Sequence, residues 1–458
     1  MKKHLIKLYA FLLVASNTVY GQFTIFNPLK TSDATGLAIG DNAYLTAAKG
    51  IDPNGAGYLR LTQAATNRKG YMYVQQSFPT SLGITADFEY LAWRDVDDSY
   101  HGADGFTMFL FDGNTTTFKL GGYGGSLGYA PLQGSSTTGL TGGYIGIGFD
   151  AYGNYGRLGE DRRTGVNYYI PNSVVLRGPT TGTLATTNAY LTHKELGDRS
   201  GSADDIRKRD EIDYNTKVTK RPSESTFYRR VQVIITKLAN NNYRIVGQWR
   251  KQNQTTFTEL FSYEMNSATY QLPSTLKIGF AGSTGGGFNH MEIRNILITT
   301  PGNIRVDSRS DEAMVCKGKT SETTFKIEVT NDTAANLNNI TYNTKFTDAS
   351  GNLLDLSNFK ITSLTRSSEF TSASLQTSNF TSNEISGIVG LPANKSGIIT
   401  IKGNYFGGLP TNSQLKATSN ISSVNIVDPD LTNNNATTSV DVRKCNIISN
   451  PNLPINNQ

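Results

Sequence analysis

The chain reads as an all-β protein made of two successive β-sandwiches, and three observations predict this. Gly occurs 45 times while charged residues make up only 17% of the 458, which suits short strands and tight turns better than helices. No long helical periodicity runs along the chain. Alternating apolar stretches instead recur at short intervals, each bounded by Gly, Pro, Asp or Asn. The length exceeds one ordinary domain, and near residue 303 Gly thins while Asn, Ser and Thr rise. The expected division is a leader over 1–21, a first sandwich over 22–302, a smaller one over 303–445 and a polar tail over 446–458.

The start, Met1-Lys2-Lys3-His4-Leu5-Ile6-Lys7 followed by Leu8 to Ala15 and Val19-Tyr20-Gly21, has basic, apolar and small-residue regions in secretory order, with cleavage expected before Gln22. The apolar run is too short to span a bilayer and no later run is long enough, so the mature chain is expected to be exported, and soluble or surface-attached by other means. An uncleaved anchor is the alternative. Loss of Lys2, Lys3 and Lys7 with the leader removes half of the formal +6 charge, so the balance does not point to nucleic acid. The charged stretch from Lys194 to Arg221 mixes Arg207-Lys208-Arg209 with Asp204-Asp205 and Asp210-Glu211, and reads as a solvated insertion.

In the first part Phe23–Phe26, Ala43–Thr46 and Tyr58–Thr62 are expected as short strands. Residues Ile84 to Trp93 alternate, placing Ile84, Ala86, Phe88, Tyr90 and Ala92 on one face of a half-buried strand. Gly105 to Phe111 is apolar enough to lie deep in a sheet and ends at the turn Asp112-Gly113-Asn114. Strands follow at Val174–Leu176 and Val231–Ile235, a hairpin through Asn240-Asn241-Asn242 to Tyr243–Trp249, then Leu276–Phe280 and Met291–Ile298. Further on, Thr324–Asn331 alternates cleanly and Gly397–Gly403 in part. The only cysteines, Cys316 and Cys445, could close that segment with one disulfide in an oxidising compartment. Thiol catalysis or a cysteine metal site would need partners the sequence does not supply.

The stretch Gly143-Tyr144-Ile145-Gly146-Ile147-Gly148-Phe149-Asp150-Ala151-Tyr152-Gly153-Asn154 is a hydrophobic strand running into a polar loop. If the chain stays extended, Asp150, Tyr152 and Asn154 share a face. A carboxylate, an amide oxygen and a backbone carbonyl are donors that calcium prefers. A plain polar turn explains the same residues.

Four separated signatures then fall in one order: Gly102-Ala103-Asp104-Gly105-Phe106-Thr107, Gly124-Gly125-Ser126-Leu127-Gly128, Gly148-Phe149-Asp150-Ala151-Tyr152-Gly153-Asn154, and Gly279 to Gly286 running on to His290-Met291-Glu292-Ile293. With them residues 23–301 resemble the L-type, legume-lectin-like domain of bacterial secreted proteins. The resemblance implies a concanavalin A-like two-sheet jelly-roll sandwich that binds carbohydrate without catalysis. It implies a cis Ala103–Asp104 peptide, an Asp104 carboxylate bonded to sugar hydroxyls, a close backbone approach at Gly124 and Gly125, an aromatic wall from Tyr152, and Asn154 as a donor to the sugar. Calcium would be held by Asp150, the Tyr152 carbonyl, Asn154 and a later acid, Asp161 with Glu160 as its alternative. Members with a second, manganese site carry a glutamate and a histidine where this chain has Gly148 and Ser173, so that site is expected to be lost. His290 is expected to make a structural hydrogen bond, and His101 to lie near the cleft rim. Residues 303–445 look like the Ig-like repeat modules of bacterial surface proteins, on Thr324–Asn331 and Val427 to Thr437, and imply a spacer.

The expected function is a secreted or cell-surface lectin or adhesin whose partners are extracellular glycans. One alternative is a structural surface protein with a degenerate lectin domain. A glycan hydrolase is a further one, for which two carboxylates roughly 5 Å or about 6.5–9.5 Å apart must flank the scissile bond. The nearest acid string, Glu211-Ile212-Asp213-Tyr214-Asn215, lies in the charged insertion.

Overall fold

A computed structural model describes residues 23–445 other than 101, 135–136, 197–216, 224–226, 239, 253, 255, 334–335, 424–425 and 429–430. The expected leader, the polar tail, His101 and the Glu211–Asn215 string lie outside the described residues.

The alternation in Ile84–Trp93 makes it a central strand. Ile84, Ala86, Phe88, Tyr90 and Ala92 are at most 1% exposed, and the strand lies between Tyr228–Lys237 and His290–Pro301 in a nine-stranded sheet. That sheet runs Thr258–Met265, Tyr243–Arg250, Tyr228–Lys237, Ile84–Trp93, His290–Pro301, Leu59–Thr62, Tyr44–Leu45, and Thr24–Asn27 also pairs with His290–Pro301. The eight-stranded sheet facing it runs Tyr190–Glu195, Ser173–Arg177, Gly143–Asp150, Gly105–Asp112, Thr275–Ser283, Lys69–Val74, Leu37–Asp41, with Phe78–Pro79 beside Thr275–Ser283. Side chains from both sheets form one core. At its centre Phe88 meets Phe280 edge-on at 4.9 Å and Phe149 at 6.0 Å, while Phe106 stacks on Phe149 at 4.7 Å.

The second face of Ile84–Trp93 is also buried, contrary to the half-buried expectation. Asp87 is covered by Arg230 at 2.9 Å and by Gln232 at 2.9 Å. Farther along, Arg221 reaches Asp52 at 2.6 and 2.8 Å and Glu292 at 2.6 and 2.8 Å, and Glu292 also accepts from Arg60 and Trp93. The charged insertion is therefore not wholly solvated: its last arginine closes a buried ion group. The sequence reading also misses Leu37–Asp41, Lys69–Val74, Tyr190–Glu195 and Thr258–Met265. Lys69–Val74 buries Gly70, Met72 and Val74 but sets half-buried Tyr71 and Tyr73 on its other face, and Tyr190–Glu195 has no clean apolar alternation. Tyr190–Glu195 extends the eight-stranded sheet, and its last two residues lie within the charged stretch read as a solvated insertion.

Residues 304–442 form a separate core between a four-stranded sheet, Ile304–Ser310, Ser321–Asn331, Lys395–Tyr405, Phe359–Arg366, and a six-stranded one, Met314–Cys316, Asn435–Arg443, Gln414–Ser422, Leu337–Thr347, Glu384–Leu391, Ser372–Leu375. Cys316 and Cys445 are disulfide-bonded with Cα atoms 5.4 Å apart. Ile426–Val427 leaves this sandwich to pair in parallel with Thr300 and Pro301 of the first.

Candidate functional site

Adjacent strands bring the two acids together. Gly105 pairs with Asp150 across Gly105–Asp112 and Gly143–Asp150, so Asp104 enters one strand beside the point where Asp150 leaves the other. The Ala103–Asp104 peptide is cis. The Asp104 carbonyl accepts the N–H groups of Ala151 at 3.0 Å and Tyr152 at 3.2 Å, and the Asp104 N–H donates to Ser283 O at 3.0 Å. Its carboxylate lies 3.6 Å from where a Cβ on Gly285 would sit, and its Oδ2 is buried without a hydrogen-bond partner. Burial and the charges of Asp150 and Glu160 push the Asp104 carboxyl up to about 7, against the pull of Arg162.

Asp150 is fully buried. Its Oδ1 accepts from Gly153 N–H at 2.7 Å and its Oδ2 from Tyr155 N–H at 2.6 Å. Burial pushes its carboxyl up to about 7 as well, while these N–H groups and Arg162 favour the charged form. With two short N–H bonds, Asp150 is the better-stabilised anion of the pair, and Asp104 the one that holds a proton more readily.

The Gly124–Ser126 turn sits over Asn154. A Cβ on Gly125 would fall 2.2 Å from Asn154 Cβ, so only glycine allows this approach. Ser283 Oγ donates to Gly124 O at 2.8 Å and ties the turn to the strand beside Asp104. Tyr152 meets Tyr100 at 6.1 Å and Tyr169 edge-on at 5.6 Å, and the Arg157 guanidinium lies 4.2 Å over the Tyr169 ring. Tyr100 and Tyr169 are 44% and 45% exposed. Asp104, the glycine turn, Asn154 and Tyr152 thus share one end of the eight-stranded sheet.

No family model and no curated protein matches the chain. Solved structures of legume and related lectins are similar over about 60% of it. Peanut lectin with a 9mer peptide is 16% identical, covering 60% of this chain and 97% of that one at a TM-score of 0.37. Lectin II from Ulex europaeus is 15% identical, covering 61% and 98% at 0.38. The exoplasmic/lumenal domain of VIP36, in a Ca2+/Man-bound form, is 12% identical, covering 60% and 89% at 0.36.

Calcium takes about six to eight oxygen ligands, and the expected donors do not present such a set. Each Asp150 oxygen accepts one N–H group, which leaves it a single lone pair. Asp161 is held by Arg163 at 3.1 Å. Glu160, its alternative, acts with Asp150 on the Asp104 carboxyl, yet Arg162 binds it at 2.7 Å. Among the described residues no three His, Cys, Asp or Glu side chains gather as a metal-holding group. The residues in place do not fit the ion in the way the resemblance implies. Gly148 lies under the Tyr155 ring, where a Cβ would fall 2.2 Å from Cδ1, and Ser173 pairs with Asp150 across the strands; the Tyr155 ring occupies the space beside Gly148.

His290 lies elsewhere, under Trp93. Its Nδ1 accepts from Ala64 N–H at 3.1 Å and its Nε2 faces Asp95 at 3.2 Å. Burial and the Arg60 charge push its pKa down to about 4. A neutral ring that accepts at Nδ1 and donates at Nε2 satisfies both contacts. Sequence reasoning misses Tyr100, Tyr169, Arg162 and Arg177 around the site. Tyr100, four residues before Asp104, carries the nearest available signal.

Proposed function

We propose that this chain is an exported, non-catalytic glycan-binding protein of the lectin or adhesin kind, with its ligand face at Asp104, Gly124–Gly125, Asn154 and Tyr152. The observation that carries this reading is the conjunction at one sheet end of a carboxylate with an unbonded oxygen, a glycine turn that seats directly on Asn154, and Tyr152 flanked by two exposed tyrosines. Hydroxyl groups take directed bonds from the first two, and the C–H face of a sugar ring packs on the third. The second sandwich would act as a spacer that presents the first.

A glycanase would need both carboxylates to reach the substrate. Asp150 is fully buried and bonded to backbone on both oxygens, which supports a binding role over a catalytic one. The competing reading, a structural surface protein with a degenerate site, draws on Asp104 being only 6% exposed. A glycan array probed with the full chain and with Asp104→Ala separates the two. Binding lost in the variant supports the lectin reading, and a chain that binds no glycan supports the structural one. Calcium assistance, which the resemblance implies, is read from the same array in chelator.

A further inference from the structure

The connection from Asp150 to Ser173 carries Tyr152 and Asn154 of the candidate site and contains no regular strand or helix, only isolated bridges at Arg157–Val166 and Gly159–Arg162. Two buried guanidinium groups hold it. Arg177, 1% exposed, donates from Nε to Tyr155 O at 2.9 Å, from Nη1 to Asn188 O at 2.8 Å and from Nη2 to Thr164 O at 3.2 Å, and its guanidinium carbon lies 5.3 Å over the Tyr155 ring. Arg162, 3% exposed, donates from Nε to Arg157 O at 3.2 Å, from Nη1 to Ser126 Oγ at 2.6 Å and from Nη2 to Glu160 at 2.7 Å. Ser126 belongs to the glycine turn, so this one side chain ties the turn to the loop. Three of these six bonds end on loop carbonyls, a fourth on the loop's Glu160. The planar fork reaches several acceptors at fixed angles, as a metal centre would.

The loop's own backbone serves the buried acid beside them: the Gly153 and Tyr155 N–H groups reach Asp150 at 2.7 and 2.6 Å, and a buried carboxylate persists where hydrogen bonds compensate it.

We propose that Arg162 and Arg177 are the internal cations of this site, holding the 151–172 loop and the Gly124–Ser126 turn in their binding arrangement so that the ligand face stands without a bound metal ion. Both are positioning residues. The inference rests on the preceding functional reading only for its ligand arm, because the loop's order can be measured with no glycan present.

The test uses the full chain purified in calcium. Elemental analysis after desalting should find well under one calcium per chain. Melting in millimolar calcium and in chelator should agree to within about 1 °C, and exchange of the Leu158, Val166 and Ile170 amides, bonded within the loop at 2.8, 3.1 and 3.1 Å, should not change between the two. Arg162→Met and Arg177→Met should speed that exchange by at least ~10-fold, and Arg162→Lys, which keeps the charge without the fork, should restore little of it. Retention of about one calcium per chain, with loop protection lost in chelator, would overturn the proposal, as would folded arginine variants whose loop exchange is unchanged. Should the variants not fold, the calcium and exchange measurements on the unaltered chain still decide. In the ligand arm, glycan binding that survives chelator supports the proposal and calcium-dependent binding overturns it; absence of all glycan binding bears on the functional reading alone.

Discussion

Gly125 and Asn154 are in direct contact: a Cβ on the glycine would lie 2.2 Å from the Cβ of the asparagine. No rotamer change relieves that overlap, since the Asn154 Cβ is fixed to its backbone. Gly125→Ala should therefore push the turn off Asn154, destabilise the chain by about 1–3 kcal/mol and weaken glycan binding by ~100-fold or more. Gly124→Ala meets no atom within 4 Å but needs a φ of +58°, so it should cost about 1 kcal/mol through backbone strain. Array binding and urea melts on the two variants separate contact from conformation.

Asp104 makes stability depend on pH in an unusual direction. Its carboxyl is raised from 3.8 to about 7, so between those values the folded chain binds a proton that the unfolded chain has released. Stability should fall as pH rises through that window and level off above it. Asp104→Asn removes the penalty and should stabilise the chain at pH 8 by as much as a few kcal/mol, while losing ligand binding. Thermal melts at pH 5 and pH 8 in both proteins check this, and a variant less stable at pH 8 contradicts it.

Tyr152 lies between Tyr100 and Tyr169. Replacing either outer ring by Ala should weaken ligand by ~3–10-fold, with little effect on melting, because both are 44–45% exposed. Tyr152→Ala removes the shared wall and should cost more than either. Equilibrium titration with the best array ligand measures the order.

Arg221 binds Asp52 and the fully buried Glu292 together. Arg221 and Arg60 hold the Glu292 carboxyl below its ordinary range against a large burial penalty. Arg221→Ala should destabilise the chain by about 2–3 kcal/mol at neutral pH. Because a depressed carboxyl stabilises the fold above its ordinary pKa and loses that contribution as pH falls through the folded value, the gap between the two proteins should narrow in acid. Urea titrations at pH 7 and pH 3 report it.

The parts of this molecule legible in the sequence are those with short local signals. Ile84–Trp93 shows its inward face by alternation, and the strand Gly143–Asp150 leads visibly into its loop. Asp104, Gly125 and Asn154 come together in space because each sits at a strand end or turn whose residue types mark it locally. Arg162 reaching Ser126 over 36 positions, or Arg221 reaching Asp52 over 169, leaves no such mark. An arginine in a charged run looks solvated until the fold supplies its acceptors. Asp161 and Glu160 are neighbours that sequence position alone does not tell apart, and the loop turns them to different arginines.

The Cys316–Cys445 bond spans 129 positions and closes nearly the whole second sandwich into a ring. Under tension applied beyond Cys445, the load crosses the sulfur bridge directly to residue 316 and the short run back to Pro301. Roughly 440 Å of extended chain is thereby withheld from stretching, and the pull arrives at His290–Pro301 in the nine-stranded sheet. Asp104 and Asn154 sit in the opposite sheet, off that line. While the bond is intact, the chain between Cys316 and Cys445 cannot be drawn out, so the second sandwich lengthens under load only through the short segments outside that ring.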